Sequence, residues 1–399
     1  MALGSFLLFA NLYLFQPILP NLALELSLSP TQVNWVFALT TLTLALSLIF
    51  WAVISDTFGR KKIMLLGLFL PVLIHGFLLL QPSFTNLLIA RALMGVALGA
   101  FASIAMAYMV EELSPNAFAI ASGNYIAANS LGGIAGRLCG GILTDLYDWQ
   151  TAVWVLSIAT LAGALLLLKA LPRETYRAQQ MSDKTSNKTP HQKPPKTQRR
   201  PSLSQIKQEL KGHLSNFTIW FAMLIGGLNF ALFVNLFSVI GFRLTEAPFS
   251  LPTSVTSLVF LCYLTGTISS KYSGKWARKG REIPSMLKGI AVAMAGLFLA
   301  WFNNLFTIIL SLLLISGGAF FVHALAYAWV SAKATTGRAT ASALYLMHYY
   351  IGGSVGGFLL LYCWDIGGWL AVIAGSMLLF SGMLGLAVWL KDKGEDDSE

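Results

Sequence analysis

Five titratable side chains sit deep inside apolar stretches of this chain: Arg91, Arg137, His75, His323 and His348. A charge in hydrocarbon is costly, so such a residue pairs, faces a water-filled cavity, or lines a path for a solute or proton. The chemistry on offer is binding and proton exchange. A guanidinium holds anions, and an imidazole changes charge near neutral pH. His348 stands with Tyr345, Tyr349 and Tyr350, and His323 with Phe320, Phe321 and Tyr327. Gln16, Asn124, Asn129, Asn229 and Asn235 add hydrogen-bonding amides within the same stretches. Each has a plainer alternative. The amides and imidazoles can simply hold helices together, and the arginines can snorkel to a membrane surface.

What is missing narrows the chemistry. No Asp or Glu lies in the middle of an apolar stretch, so a cavity lined by Arg91 and Arg137 is neutral to positive. That favours neutral or anionic solutes over lipophilic cations. A membrane enzyme acting on lipid would want a carboxylate pair, a nucleophile or a metal cluster near the interface, and none stands out. No phosphate-binding loop is present, which argues against ATP as the driving force. No cofactor and no metal is expected.

A second group lies at a surface. Residues 55–64 pack Asp56, Gly59, Arg60, Lys61 and Lys62 between two apolar stretches. Such a turn cannot lie in lipid, and its three cations place it on the cytoplasmic side. A damaged copy occupies residues 273–281. Glu111 and Glu112 end an apolar stretch on the same side and can pair with Arg60 or Lys61.

The elements that position these residues follow from composition. The chain is 56% apolar and 11% charged, against about 25% charged in soluble domains. It reads as an all-α polytopic membrane protein. A span needs about 20 apolar residues. Stretches of that kind run over 2–22, 33–54, 63–80, 86–110, 117–143, 151–169, 216–240, 253–272, 284–302, 305–330, 339–363 and 369–390. The first reads as a signal anchor. Twelve spans leave both termini on one side, and 24 of the 27 Lys and Arg fall on that side. The net charge of +10 therefore reports topology and not a nucleic-acid partner. The three cysteines all lie in apolar segments, so no disulfide framework is expected.

The spans fall into two halves, 1–172 and 216–391, with an acidic tail over 392–399. Between the halves, residues 173–215 cannot bury a core. Residues 173–201 read as a disordered linker, and Leu203, Ile206, Leu210 and Leu214 recur at helical spacing, as in a helix lying on the membrane. A solvated linker is the alternative. The halves repeat. Gly132, Gly133 and Gly136 recur as Gly352, Gly353 and Gly356, Asp145 as Asp365 and Trp149 as Trp369, all at an offset of 220. Two parallel six-helix bundles follow, with a solute path between them near the midplane. The glycine faces allow close helix packing.

These motifs carry a resemblance. Ala52-x-x-x-Asp56-Thr57-x-Gly59-Arg60-Lys61 resembles the signature loop Gly-x-x-x-Asp-Arg-x-Gly-Arg-Lys of the major facilitator superfamily. Arg91-x-x-Met94-Gly95-x-Ala97-x-Gly99-Ala100 is similar to its fourth-helix motif. Gly123-x8-Gly132-x3-Gly136-Arg137-x2-Gly140 has the spacing of its fifth-helix antiporter motif, with Arg137 in place of the motif's Pro. The resemblance is closest to the bacterial twelve-span drug:proton antiporter branch. It implies two pseudo-symmetric bundles in the inner membrane that exchange a small solute for protons by alternating access. It also implies that Asp56 meets the amino end of the eleventh span near residues 340–342, and that Arg91 faces inward for proton coupling. The chain is expected to act as a monomer in the lipid bilayer. A symporter or uniporter importing a small anion or sugar remains the alternative.

The topology is open to direct test. Single cysteines at Lys193 and Lys275 should be protected from an impermeant thiol reagent in intact cells, and those at Asp145 and Asp365 should react. Labelling at 193 from outside is incompatible with twelve spans.

Overall fold

The computed structural model describes residues 1–80, 83–172, 203–276 and 281–396. The linker over 173–201, residues 277–280 of the second basic turn, the final three residues and the side chain of Asp56 lie outside the described residues. Among the described residues every regular element is helical. Among those residues ten helices are long and apolar enough to cross a membrane. The last of them, Arg338–Asp396, is two spans joined across a break at Gly368, where φ is 61°. The first span comes in two pieces, Ala2–Tyr13 and Leu19–Glu25, each too short to count alone. The result is twelve spans in two bundles of six.

Local chemistry sets the breaks and turns. The first span does not run unbroken over 2–22. Pro17 has no N–H to give, and the Gln16 and Ile18 amides turn back to Tyr13 and Phe15 in tighter turns, at 3.1 and 3.3 Å. Gly59, with φ 103°, alone joins the second span, Trp35–Phe58, to the third, Arg60–Leu80. A side chain resists that conformation, so glycine permits the one-residue hairpin. Ser114, Asp148, Asn216 and Asn304 accept amide hydrogen bonds at the starts of the fifth, sixth, seventh and tenth spans.

Glycines weld each half. The fifth span, Pro115–Leu146, lies on the first so closely that a Cβ at Gly132, Gly136 or Gly140 would fall 2.2, 2.3 or 2.1 Å from the carbonyl oxygens of Phe6, Ala10 and Leu14. The eleventh span repeats this on the seventh, Phe217–Thr245. A Cβ at Gly352 or Gly356 would lie 2.1 or 2.4 Å from the oxygens of Gly227 and Ala231. Gly133 and Gly353 face rings instead, Tyr13 and Phe230. The repeat read from sequence is thus a repeat of helix pairing.

The halves meet along two seams. In one, the fifth span meets the eighth, which runs Thr253–Ser257, Leu258–Cys262 and Tyr263–Trp276. Gly141 packs on Ser257, and the Ser130 and Thr267 hydroxyls share a hydrogen bond of 2.5 Å. In the other, the second span meets the eleventh. Ser354 donates to Ala38 O at 2.8 Å, and Trp35 packs on Phe358 with centroids 4.6 Å apart. These contacts lie from mid-membrane toward the end that carries Glu25, Asp145, Asp148 and Asp365, here the acidic end. Toward the end that carries Arg60, Lys61 and Lys275, here the basic end, contact thins out. Among the described residues nothing lies within 4 Å of a Cβ built at Gly123 or Gly274.

Helix Leu203–Ser215 lies at the basic end. It partly buries Leu210, buries His213 and leaves Leu214 exposed. His213 Nε2 sits 3.3 Å from Gly337 O. Thr340 Oγ1 donates to Glu209 Oε2 at 2.6 Å. The amino end of the eleventh span is thus met by Glu209 in this structure.

The glycine weld predicts an asymmetric mutational response. Gly136→Val should lower the thermal midpoint of the detergent-purified protein sharply, a loss of about 1–3 kcal/mol or more. Gly123→Ala, in open space, should leave it unchanged. Size-exclusion profiles after a heat ramp read both.

Candidate functional site

The seam between the halves holds one fully buried cation, Arg137, among the residues described there. The fifth span carries it against the break in the first. Its Nε donates to Gln16 Oε1 at 2.7 Å, Nη1 to Gly133 O at 3.0 Å and Nη2 to Tyr263 OH at 3.4 Å. Its guanidinium carbon stands 3.7, 4.5 and 4.7 Å from the ring centroids of Tyr13, Tyr263 and Phe260. Gln16 in turn donates to Val234 O at 2.7 Å and Ser238 Oγ at 2.9 Å on the seventh span. These partners include no carboxylate. Cation–π contacts with three rings supply the compensation, each worth about 0.5–2 kcal/mol. Tyr13, Gln16 and Arg137 belong to one half, and Val234, Ser238, Phe260 and Tyr263 to the other, so the knot ties the halves together.

Arg91 is placed differently. It lies on the fourth span, Phe84–Ala102, and is 1% exposed. It neither snorkels nor lies on the seam. Nε donates to Val36 O at 2.9 Å, and the two Nη atoms to Asn11 O at 3.3 Å and Leu12 O at 2.9 Å. Those last carbonyls sit where the first span stops, and Gln16 N–H has turned to Tyr13 instead of Leu12. Arg91 replaces the missing amides at a helix carboxyl end, where a cation is also favoured by the helix dipole. His75 is also buried, and among the described residues neither of its ring nitrogens has a partner.

Below the Arg137 knot, toward the basic end, lies an aromatic cluster. His323 Nδ1 is 3.1 Å from Tyr345 OH, and Tyr345 OH reaches back to His323 O at 3.3 Å. The His323 ring centroid is 4.2 Å from that of Tyr349, which stacks on Phe230 at 4.0 Å. Tyr327 joins through Tyr345 at 5.4 Å. His323, Tyr349 and His348 are half-buried, and Tyr327 is partly open. His348 Nδ1 meets Leu344 O of its own helix at 2.8 Å. On the facing half, Asn129 is bonded to Ser5 Oγ, and Asn124 is exposed. Asn229 and Asn235 donate to Ala319 O and Gly353 O, at 3.0 and 2.8 Å, and serve helix adhesion.

At the basic end Arg60 grips Glu111 with two bonds of 2.6 Å. Lys61 Nζ reaches Leu171 O. Glu112 ends the same helix, Ala105–Glu112. These contacts lie within one half.

The sequence reading had singled out Arg137, Gln16, His323 and Tyr349, and the structure brings Arg137 to Gln16 and His323 to Tyr349. It had not singled out Tyr13, Phe260, Tyr263, Ser238 or Glu209. Tyr13 lies one helical turn before Gln16, on the face that Gly133 opens, which was the one available signal. Nothing local marks Tyr263, which arrives from the other half.

The two arginines should separate on mutation. Arg91→Met leaves the buried carbonyls of Asn11 and Leu12 short of a donor, each costing about 1–3 kcal/mol, and removes the added bond to Val36 O. It should reduce thermal stability and folded yield together, with Arg91→Lys intermediate. A variant as stable as the parent would show that water takes over the carbonyls.

Comparison with known proteins matches this architecture. The family model for the Major Facilitator Superfamily matches residues 1–357. The uncharacterised MFS-type transporter YybF of Bacillus subtilis (strain 168) is 31% identical over 387 residues, covering 97% of this chain and 90% of that one. The inner membrane transport protein YnfM of Escherichia coli (strain K12) is 35% identical over 361 residues, covering 90% and 82%. The crystal structure of the nucleoside transporter NupG superposes with a TM-score of 0.72 at 12% identity, covering 98% of both chains. The two glycine-welded halves and the basic turn at Gly59 fit a membrane transporter, and the chain belongs to the Major Facilitator Superfamily.

Proposed function

We propose that this protein moves a small neutral or anionic solute across the bacterial inner membrane by alternating access, as a proton-coupled exporter. Three kinds of support converge. YnfM carries the words inner membrane in its name. The concentration of Lys and Arg at one end supports a cytoplasmic basic end and cytoplasmic termini. The fifth-helix glycine pattern, kept here at Gly123, Gly132, Gly136 and Gly140 with Arg137 in place of the Pro, supports the export reading.

The observation that carries the substrate class is Arg137, with 0% exposure on the seam and no carboxylate among its partners. A cation with no carboxylate beside it raises the local concentration of anions and excludes cations once the seam parts and solute reaches it. His323 is the candidate proton carrier, because it meets the Tyr345 hydroxyl and lies half-open in the aromatic cluster. Asp56, Gly59, Arg60, Lys61, Glu111 and Glu112 are proposed to close the basic end in the opposite state.

Transport into proteoliposomes under an imposed pH gradient tests the reading. Anionic or neutral compounds should move and ethidium-like cations should not. Arg137→Ala should lower the initial rate roughly 10–100-fold, the value of hydrogen bonds to a charge, and Arg137→Lys should keep part of it. His323→Gln should remove stimulation by the pH gradient and leave solute binding intact. Parental transport by Arg137→Ala, or a parental preference for cations, defeats the assignment.

A further inference from the structure

The two seams end alike. Asp145, next to the last residue of the fifth span, accepts a hydrogen bond from Ser254 Oγ. Asp365, at an offset of 220, accepts from Thr31 Oγ1 at 2.5 Å and from Thr31 N–H at 3.4 Å. Ser254 is the second residue of helix Thr253–Ser257, which opens the eighth span. Thr31 is the second residue of helix Pro30–Val33, which leads into the second span. In each case the carboxylate comes from one half and the hydroxyl from the other, and the two crossings run in opposite directions.

We propose that Asp145 and Asp365 are paired latches that hold the acidic end of the transporter shut and set how readily that end opens. The latch role rests on the alternating-access reading above. A hydroxyl donating to a carboxylate makes a short, charge-assisted bond, stronger than a bond between neutral groups. Both aspartates are exposed at the rim, so on parting each recovers water. Contacts of this kind are reversible, unlike the backbone packing at Gly136 and Gly356. Because each half is a welded unit, neither seam parts without loading the other. The two latches therefore act on one transition, and their free energies add. Thr253 Oγ1 donating to Asn21 Oδ1 at 2.7 Å ties the first span to the eighth at the same rim. Beneath them lie the Gln16–Ser238 and Arg137–Tyr263 contacts, which become reachable from this end only after the rim opens.

A buried reporter on the seam measures opening without any substrate. Ser257 is 0% exposed beneath the latch, and Ser238 is 1% exposed on the seventh span. Ser257→Cys, or Ser238→Cys as a second reporter, is built into the full-length protein with Cys139, Cys262 and Cys363 changed to Ala. An impermeant maleimide is then applied to intact cells. Asp145→Ala and Asp365→Ala should each raise the labelling rate roughly 3–10-fold, and together by about the product. Thr31→Val, which keeps the long N–H bond, should raise labelling nearly as far as Asp365→Ala, and combining the two should add nothing to Asp365→Ala. Asp365→Glu should stay nearer the parent. A folded double-aspartate variant that labels at the parental rate with both reporters overturns the latches. The same rise seen in inverted vesicles instead of intact cells upholds the latches and overturns the assigned sidedness.

Discussion

A membrane interior offers no water to a backbone carbonyl that has lost its amide, and the broken first span creates that problem in the middle of the protein. Pro17 cannot donate, Gln16 turns its amide to Tyr13, and the carbonyls of Asn11 and Leu12 are met by Arg91 from the fourth span. The same guanidinium takes Val36 O on the second span. The broken turn also carries Gln16, whose side chain bridges Arg137 on the fifth span to Val234 and Ser238 on the seventh. One irregularity thus fixes the positions of five helices, and it puts polar groups where the halves meet. Without Arg91 the break would be a defect; with it, the break is the anchor of the knot.

The kind of contact used inside each half differs from the kind used between the halves, and that difference makes rocking feasible. Inside, Gly132, Gly136 and Gly140 bring the fifth span onto the backbone of the first, and Gly352 and Gly356 do the same for the eleventh and seventh. Such packing is lost with any small displacement, because dispersion falls off within a fraction of an ångström. Between the halves, beside the packing of Gly141 on Ser257 and Trp35 on Phe358, the contacts include hydroxyl hydrogen bonds at Ser130, Ser354 and Ser254 and a guanidinium among rings. Each of those polar groups has a second way to be satisfied once water enters. Under the alternating access proposed above, the halves move as units and part at the seams.

How much of this was legible in the sequence depends on the range of each signal. Hydrophobic length and the clustering of cations are local, and they give the spans and the basic end. The repeat is also local in its consequences, since Gly132 and Gly352 each need only a partner helix from their own half. The proline break was readable at Gln16–Pro17, although not the loss of the continuous first span. Arg91 is ambiguous in sequence for a physical reason: an arginine in an apolar helix looks the same whether it faces a cavity or caps another helix. The ring cage around Arg137 was hidden because Tyr263 and Phe260 come from the other half, about 120 positions away, and contacts between halves leave no periodicity. Glu209 was hidden in a different way. It lies in a stretch too polar to bury, and its role comes from where the linker returns to the bundle, at Gly337 and Thr340.

The cage around Arg137 also links conformation to substrate charge under the function proposed above. Of its three rings, Tyr13 moves with the arginine, whereas Tyr263 and Phe260 belong to the other half. When the acidic end is shut, all three face the cation and it needs no anion. When that end opens, two of them withdraw with the Tyr263 hydroxyl, and the guanidinium keeps only Gln16, Gly133 O and Tyr13. Its affinity for an anion is then higher in the open state than in the closed one. A ligand shifts a two-state equilibrium only through such a difference in affinity. An anionic solute therefore favours the state in which the cage is broken, whereas a neutral solute leaves the balance to the seam contacts. A cation is disfavoured in both states, because nothing in the knot offers it a negative group.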